Sequence, residues 1–200
     1  MATTTAPKQR SETAEQILDL AETLIQTRGY STFSYQDIAD NLGIRKASIH
    51  YHFPSKADLG IAVIDRYMAR FDSALATISD DQSQSSMAML DFYVQPYLKF
   101  ASTPDRVCLS GALAGEMLAL PQEVRERVDH FFRSHQMWLT KILKRGVARG
   151  EIRLAAPAPK VARFVFGALQ GALLVKRTTN DVSQLNDVIS VMKLQLAARP

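Results

Sequence analysis

The sequence predicts an all-α fold of about nine helices, in which an N-terminal three-helix helix-turn-helix domain precedes a helical bundle. Two observations lead to this prediction. Apolar residues recur at helical spacing in nearly every periodic segment, and no run alternates in the way of a half-buried strand. In addition, two short helical patterns between residues 37 and 53 are joined by a turn that contains a glycine.

The composition is that of an ordinary globular protein. The chain has 200 residues, of which 46% are hydrophobic and 22% charged, so it can bury a core in one or two domains. The net charge of +4 permits a nucleic-acid partner without requiring one. Cys108 is the only cysteine, the N-terminus lacks an apolar signal segment, and we see no apolar run near the ~18 residues of a membrane span. These features predict a cytoplasmic protein.

Capping patterns place the first four helices. The first helix is predicted from an apolar stripe and ends at Gly29; the stripe comprises Ala14, Ile17, Leu18, Ala21, Leu24 and Ile25. Ser34, with Asp37 three residues later, is a capping-box variant that predicts the start of the second helix. Ser55 and Asp58 repeat this pattern for a fourth helix of about six turns.

Five further helices are predicted in the remaining chain. A polar linker over residues 79–86 precedes a helix over about 87–101, which Pro96 is expected to interrupt or kink. The next helix ends near Leu120, and Pro121 suits the first position of the one after it, which Gly150 closes. The last two helices are predicted over about 160–176 and 183–198.

The segment from the second to the fourth helix closely resembles the tetracycline-repressor (TetR/AcrR-like) family of transcriptional regulators. The matching residues are Ile38-Ala39, Leu42-Gly43-Ile44, Lys46-Ala47-Ser48-Ile49, Tyr51-His52-Phe53, Ser55-Lys56 and Asp58-Leu59, preceded by Arg28-Gly29-Tyr30. His50 departs from this pattern, because the family usually has Tyr there. The resemblance implies a DNA-binding domain over residues 10–56 and an effector-binding and dimerisation domain over residues 57–200.

The short helix that begins with Arg45 and Lys46 is predicted to read DNA. Its basic side chains can reach guanine edges or phosphates, and short polar groups can bind backbone oxygens. The predicted DNA-binding residues are Arg45, Lys46, Ser48, His50, Tyr51 and Lys56. Lys56 places a cation in the first turn of a helix, where it opposes the helix dipole. A phosphate bound by Lys56 and the free amides of that turn would explain this position. Alternatively, Arg45, Lys46 and Lys56 are solvated surface residues. Tyr51 would then pack in the core, as Phe53 is expected to do. The tail residues Lys8 and Arg10 are expected to make no fixed contact.

The last two helices are predicted to form the dimer interface. Gly167 and Gly171, with neighbouring alanines, give one helix a side of small residues that allows a second helix to approach closely. The predicted interface residues are Gly167, Gly171, Val188, Ile189 and Met192. Close packing within one subunit is the alternative, but the family resemblance favours a homodimer. Two recognition helices one helical turn apart, ~34–36 Å, would then read a palindromic operator in double-stranded DNA.

The family also implies a small-molecule effector pocket in the C-terminal bundle. Candidate lining residues are Tyr93, Tyr97, Cys108, Glu116, Met117, Trp138 and Gln170. Each of these is also an ordinary core residue type, and Glu116 would need a partner if it were buried; a surface position is its simplest explanation.

Cys108 supports a second hypothesis, a thiol sensor of electrophiles or oxidants. The thiol would lie at a helix start, where amide dipoles favour the thiolate, and Lys176 or Arg177 is a candidate cation opposite it, by analogy with similar regulators. A small buried hydrophobe is the alternative role.

No metal, cofactor or catalytic site is predicted, because His130 and His135 do not share a helix face and phosphate-loop or nucleophile motifs are absent. The sequence therefore predicts a ligand-responsive DNA-binding repressor. A helical enzyme or interaction module with a vestigial DNA motif remains the alternative.

Overall fold

The computed structural model describes residues 11–198, and these form nine α-helices and no strand, as the sequence predicts. Lys8 and Arg10, the predicted tail residues, lie outside the described residues. The helices are α1 (Glu12–Arg28), α2 (Tyr35–Leu42), α3 (Lys46–His52), α4 (Lys56–Asp80), α5 (Ser86–Ala101), α6 (Leu109–Gly115), α7 (Gln122–Ala148), α8 (Ala158–Thr179) and α9 (Ser183–Leu196).

The predicted caps define the N-terminal helices. The Ser34 hydroxyl accepts a hydrogen bond from the Asp37 amide, and the Asp37 carboxylate accepts one from the Ser34 amide at 2.7 Å. Gly43 ends α2 in the left-handed conformation, with φ of 65°, which a residue with a side chain rarely adopts. Ile38 of α2 and Ile49 of α3 are fully buried against α1 and hold the two short helices together.

Helix α4 connects the two parts of the protein. It begins at a second capping box, in which the Asp58 carboxylate accepts from the Ser55 amide at 2.9 Å. Along its 25 residues α4 packs first against α1 and then against α5 and α7. Because α4 directly follows α3, any movement of α4 relative to the bundle also moves the turn at which α3 ends.

The C-terminal bundle departs from the sequence prediction at two helices. Pro96 was predicted to interrupt or kink its helix, and the interruption is wrong, because α5 runs continuously through it from Ser86 to Ala101. Tyr93 and Tyr97 on either side are buried, and their packing stabilises a helix that proline alone disfavours. The next helix, α6, ends at Gly115 rather than near Leu120, and a 3₁₀ turn over Met117–Ala119 follows.

Helix α8 meets the length and composition of a membrane span, which the sequence prediction did not anticipate. It has 22 residues and is the one such helix within residues 11–198. Its buried side, which includes Phe166, Leu169 and Leu173, packs against α5, α7 and α9. The core helix of a water-soluble bundle has the same composition, so this single match is weak support for a membrane role.

Candidate nucleic-acid interface and effector cavity

Helix α3 presents polar and basic side chains to solvent while one apolar residue anchors it. Arg45, Lys46, His50 and Tyr51 are all exposed, and Ser48 is half-buried. Tyr51 is 83% exposed, so the core-packing alternative for this ring does not hold, whereas Phe53 is buried as expected. An exposed tyrosine beside exposed cations is a surface suited to phosphate and base contacts.

Tyr35, which sequence reasoning missed, fixes the end of α3. Its hydroxyl lies 2.8 Å from the Phe53 carbonyl oxygen and 2.6 Å from that of Ser55. Its ring packs edge-on against the His50 imidazole, whose Nδ1 is 3.1 Å from the Pro54 carbonyl oxygen. Burial raises the pKa of Tyr35, so the hydroxyl remains a donor. The turn between α3 and α4 is therefore held by one side chain from α2.

Lys56 does not have the free ammonium that the prediction of a phosphate contact requires. Its Nζ donates to the Phe33 carbonyl oxygen and lies over the rings of Tyr30 and Phe33, 4.8 and 4.4 Å from their centroids. Burial lowers its pKa, partly offset by the Glu116 carboxylate. The prediction is corrected accordingly: in this conformation Lys56 stabilises the loop between α1 and α2, because that loop offers a carbonyl and two aromatic faces.

Glu116 binds the loop that joins α1 to α2. Its carboxylate accepts hydrogen bonds from the backbone amides of Tyr30 at 2.6 Å and Ser31 at 2.8 Å. At Gly29 the φ of 100° is a backbone conformation that residues with a side chain rarely adopt, and an added Cβ would also displace the Glu116 carboxylate. Burial alone would raise the pKa of Glu116, but hydrogen bonds from Ser31 and Tyr30, together with the Lys56 charge, lower it.

Two further contacts hold the C-terminal end of α1 to the bundle. The Arg106 Nε donates to the Gln26 side-chain oxygen at 2.7 Å, and the Val107 amide donates to the Gln26 carbonyl oxygen at 3.2 Å. From α8, Arg177 donates to the Thr27 carbonyl oxygen at 2.6 Å. Together with Glu116, these groups fix the position of α1 from the loop before α6, the end of α6 and the end of α8.

A buried carboxylate on α1 provides the link to α4. Glu22 accepts from Arg70 at 2.6 Å and from Arg66 at 3.2 Å, and its side chain is only 8% exposed. Arg66 also pairs with Glu15 at 2.9 Å and Asp19 at 2.8 Å. A buried charge of this kind is tolerated only while its partners stay in place, so α1 and α4 are tied together along this face.

A cavity of about 580 Å³ lies between α1, α4, α5 and the loop that precedes α6. Its apolar wall includes Tyr67, Phe71, Phe92, Tyr93, Pro96 and Phe100. Its polar lining includes Glu22, Arg70, Lys99 and Arg106. The volume is within the range of pockets for small organic ligands, roughly 300–1,000 Å³. Three of the polar groups, Glu22, Arg70 and Arg106, take part in the contacts that bind α1 to the rest of the protein.

The predicted effector residues are only partly brought together. Tyr93 lines the cavity, whereas Tyr97, Cys108 and Gln170 do not. The Gln170 amide lies 3.4 Å from the Tyr97 hydroxyl oxygen. Trp138 stacks on Tyr93 at 5.3 Å and donates to Ser79 from a separate surface groove. Glu116 and Met117 do not line the cavity, because α6 ends early and directs this segment toward the loop after α1.

A buried polar cluster behind the cavity includes His135, which sequence reasoning had considered only as a metal ligand. Its Nδ1 lies 3.0 Å from the Tyr93 hydroxyl, and its Nε2 has no hydrogen-bond partner among the described residues. Burial lowers its pKa to about 4, so the imidazole is neutral near pH 7. No group of three or more metal-ligating side chains occurs between residues 11 and 198.

Cys108 is a buried residue at the N-terminal cap of α6. It is 3% exposed, and its sulfur lies 3.7 Å from the Tyr67 hydroxyl. Neither predicted cation is free to face it: Lys176 donates to the Thr103 carbonyl oxygen at 2.9 Å, and Arg177 to that of Thr27. Burial restricts access to oxidants and favours the packing role over the sensor hypothesis.

The outer face of α8 and α9 carries the glycines that the dimer prediction uses. A Cβ added at Gly167 or Gly171 would meet nothing within 4 Å, so no helix of the described chain packs there. Val188 and Ile189 are half-buried. The prediction that Met192 lies in the dimer interface is corrected, because this residue is only 5% exposed and belongs to the core of its own subunit. Phe164 and Val191, which the prediction missed, are 69% and 55% exposed on α8 and α9.

Comparison with known proteins gives consistent similarities. Residues 17–63 match the family of bacterial regulatory proteins of the tetR type, and residues 87–192 match the tetracyclin repressor-like C-terminal domain. A tetR-family regulator from Agrobacterium tumefaciens is 34% identical with a TM-score of 0.87, covering 92% of this chain and 97% of that one. One from Legionella pneumophila is 31% identical with a TM-score of 0.85, covering 94% and 100%.

A curated relative is a named repressor. The negative transcriptional regulator IcaR of the biofilm operon icaADBC, from Staphylococcus aureus, is 25% identical over 138 residues. The match covers 64% of this chain and 73% of that protein. These relatives are all transcriptional regulators by name.

Proposed function

The chain belongs to the tetR family of bacterial transcriptional regulators, and from that premise we propose that its dimer binds a palindromic operator through α3 and is released by a small molecule. As a member it is a ligand-responsive DNA-binding transcriptional regulator of the repressor type. Members normally act in the cytoplasm on operator DNA, usually as dimers. The exposed basic start of α3 is the observation that carries the proposal.

For DNA binding, we assign base and phosphate contacts to Arg45, Lys46, Ser48, His50 and Tyr51. Arg45 and Lys46 are exposed at the N-terminal end of α3, the end that a recognition helix presents to base edges. Tyr51 and His50 lie further along the same helix, where the duplex backbone passes. The turn before α4 supports them through Tyr35, so the side chains are presented on a rigid element.

For assembly, we assign the outer face of α8 and α9 to the dimer interface. Gly167 and Gly171 leave open space for a second helix, and Phe164 and Val191 expose apolar area that a partner subunit would bury. A four-helix bundle made from two such helix pairs joins the subunits through their C-terminal halves. The two α3 helices would then stand on the same side of the dimer, as an inverted repeat requires.

For regulation, we assign the cavity between α1, α4 and α5 to the effector. A ligand there contacts α4 and the side chains that tie α1 to the bundle, so occupied and empty forms differ in how α1 is held. A small molecule can shift the conformation only through such a difference in affinity between two forms. Tilting of α4 would change the spacing of the two α3 helices.

A salt-dependent mobility-shift experiment tests the DNA assignment. The protein is titrated onto its own upstream DNA and onto a scrambled duplex of equal length. We expect selective binding, and we expect Lys46→Ala to weaken it about tenfold and reduce the salt slope by about 1. Lys141→Ala, an exposed lysine on α7, is the matched control. Equal weak binding to both duplexes, or no effect of Lys46→Ala and Arg45→Ala, would support the alternative of a vestigial DNA motif.

A further inference from the structure

We propose that the effector of this regulator is an organic anion, a carboxylate on an aromatic or other apolar body, whose charge binds Arg70 and Arg106 in the cavity between α1, α4 and α5. The inference rests on the proposed function, because it names the ligand class of the same cavity. It goes further in giving the two arginines a second role, since each of them holds a side chain of α1 when the cavity is empty.

The charges that line the cavity favour an anion. Arg70, Lys99 and Arg106 face a single carboxylate, that of Glu22. Lys99 and Arg106 form no ion pair with any acid of residues 11–198, and Glu22 already has Arg66 as a second partner. A cationic ligand would meet three like charges here. A carboxylate would instead gain charge-assisted hydrogen bonds, which are among the strongest polar contacts in proteins.

The rest of the wall favours an aromatic or apolar body. Phe71 of α4 and Phe92, Tyr93 and Phe100 of α5 contribute ring surfaces, and Pro96 of α5 adds a further apolar group. Arg106 lies 6.0 Å above the Phe100 ring centroid, so cationic and apolar walls meet at one end of the cavity. A ligand with a charged head and a ring therefore finds both of its parts matched in one orientation.

Binding of the head would compete with contacts to α1. Arg70 bonds Glu22 with one nitrogen, at 2.6 and 2.7 Å to its two oxygens, and Arg106 bonds Gln26 through Nε. A ligand carboxylate that draws either guanidinium into the cavity weakens its contact with α1. Gln26 is fully buried, and its side-chain nitrogen already lacks a partner among the described residues. If Arg106 leaves this contact, the side-chain oxygen of Gln26 is unsatisfied as well, which disfavours the present position of α1.

Matched acids and amides test the charge requirement directly. Phenylacetate, 2-naphthoate and 3-(2-naphthyl)propionate are titrated by calorimetry into the DNA-free full chain, each beside its neutral carboxamide. At concentrations up to about 5 mM, at least one acid should bind about tenfold or more tightly than its amide. Arg106→Gln should remove that preference, Arg106→Lys should retain part of it, and Arg133→Gln, an exposed arginine on α7, should leave it unchanged.

The outcomes separate this inference from the proposed function. If Arg106→Gln does not fold, Lys99→Gln at the exposed rim should still lower the preference of the acid over its amide. Equal binding of acids and amides, preference for the amides, or no binding by any acid would overturn the inference. Selective DNA binding measured on the same preparation without ligand would then leave the proposed function standing. Carboxylate binding without selective DNA binding would remove the function and keep the anion site.

Discussion

Replacement of Glu116 by alanine is expected to weaken the contact between the two halves of the chain. The substitution removes two hydrogen bonds from backbone amides, at 2.6 and 2.8 Å, to a carboxylate. Hydrogen bonds to charged groups contribute about 1.5–3 kcal/mol each, and since Glu116 is partly exposed we take about 2–3 kcal/mol for the pair. For a chain of this length that corresponds to a fall in Tm of roughly 4–12 °C.

Differential scanning calorimetry measures this effect with two comparison variants. Glu116→Gln keeps one acceptor and should lose about half as much. Glu126→Ala, an exposed glutamate whose hydrogen-bond partner is Gln122 on the same helix, should change the unfolding free energy by less than about 0.5 kcal/mol. Equal Tm values for Glu116→Ala and Glu126→Ala would refute the reasoning.

The pH dependence of this contact has a defined sign. The pKa of Glu116 in the folded protein is below its ordinary value of 4.5, because hydrogen bonds and the Lys56 charge outweigh burial. The folded state therefore prefers the ionised form, and the stabilisation is complete above that ordinary value. It is lost as the pH falls through the lower folded pKa, so the parent and Glu116→Gln should converge in Tm in acid.

Three further outcomes are expected. His135 has a pKa of about 4 in the folded protein against an ordinary value of 6.5. The free energy of unfolding should therefore fall as the pH is lowered from 6.5 to 4, because only the unfolded state gains a proton in that range. Urea unfolding at pH 7 and pH 5 should differ by about 2 kcal/mol from this residue, a difference that His135→Phe should abolish. Gly167→Leu should keep the helical circular dichroism, because a Cβ at this position meets open space within the subunit. It should give a monomer by light scattering, because the added side chain blocks the close approach of a partner helix. Lys56→Ala should lower the unfolding free energy by about 1–2 kcal/mol, whereas Lys46→Ala should change it by less than about 0.5 kcal/mol in the same urea titration.

Local signals predicted the DNA-reading half of the fold well. Ser34 with Asp37 and Ser55 with Asp58 are contacts between residues three apart, so the sequence alone contains both partners. Pro96 shows where local reasoning fails: its effect on α5 is decided by how deeply Tyr93 and Tyr97 are buried, and that depends on the distant helix α7.

The candidate site was less predictable, because its partners are far apart in the chain. Glu116 is an acid between apolar residues in the sequence, but its partners are backbone amides some 85 residues away, and an amide has no sequence signature. Arg106 and Gln26 are likewise ordinary polar residues until the fold brings them together. Lys56 has an unfavourable position in the first turn of a helix, which the sequence shows, but a distant carbonyl and two aromatic rings, which it does not show, bind the ammonium.

Selection of binding sites from a random duplex library, followed by sequencing, tests the central claim most directly. We expect enrichment of an inverted repeat whose half-sites are separated by about one helical turn, roughly 10 base pairs, or a multiple of it. The variant with both Arg45→Ala and Lys46→Ala should enrich no motif, while Lys141→Ala should enrich the same repeat as the parent. A parent protein that enriches no sequence, or a single half-site without symmetry, would contradict the account.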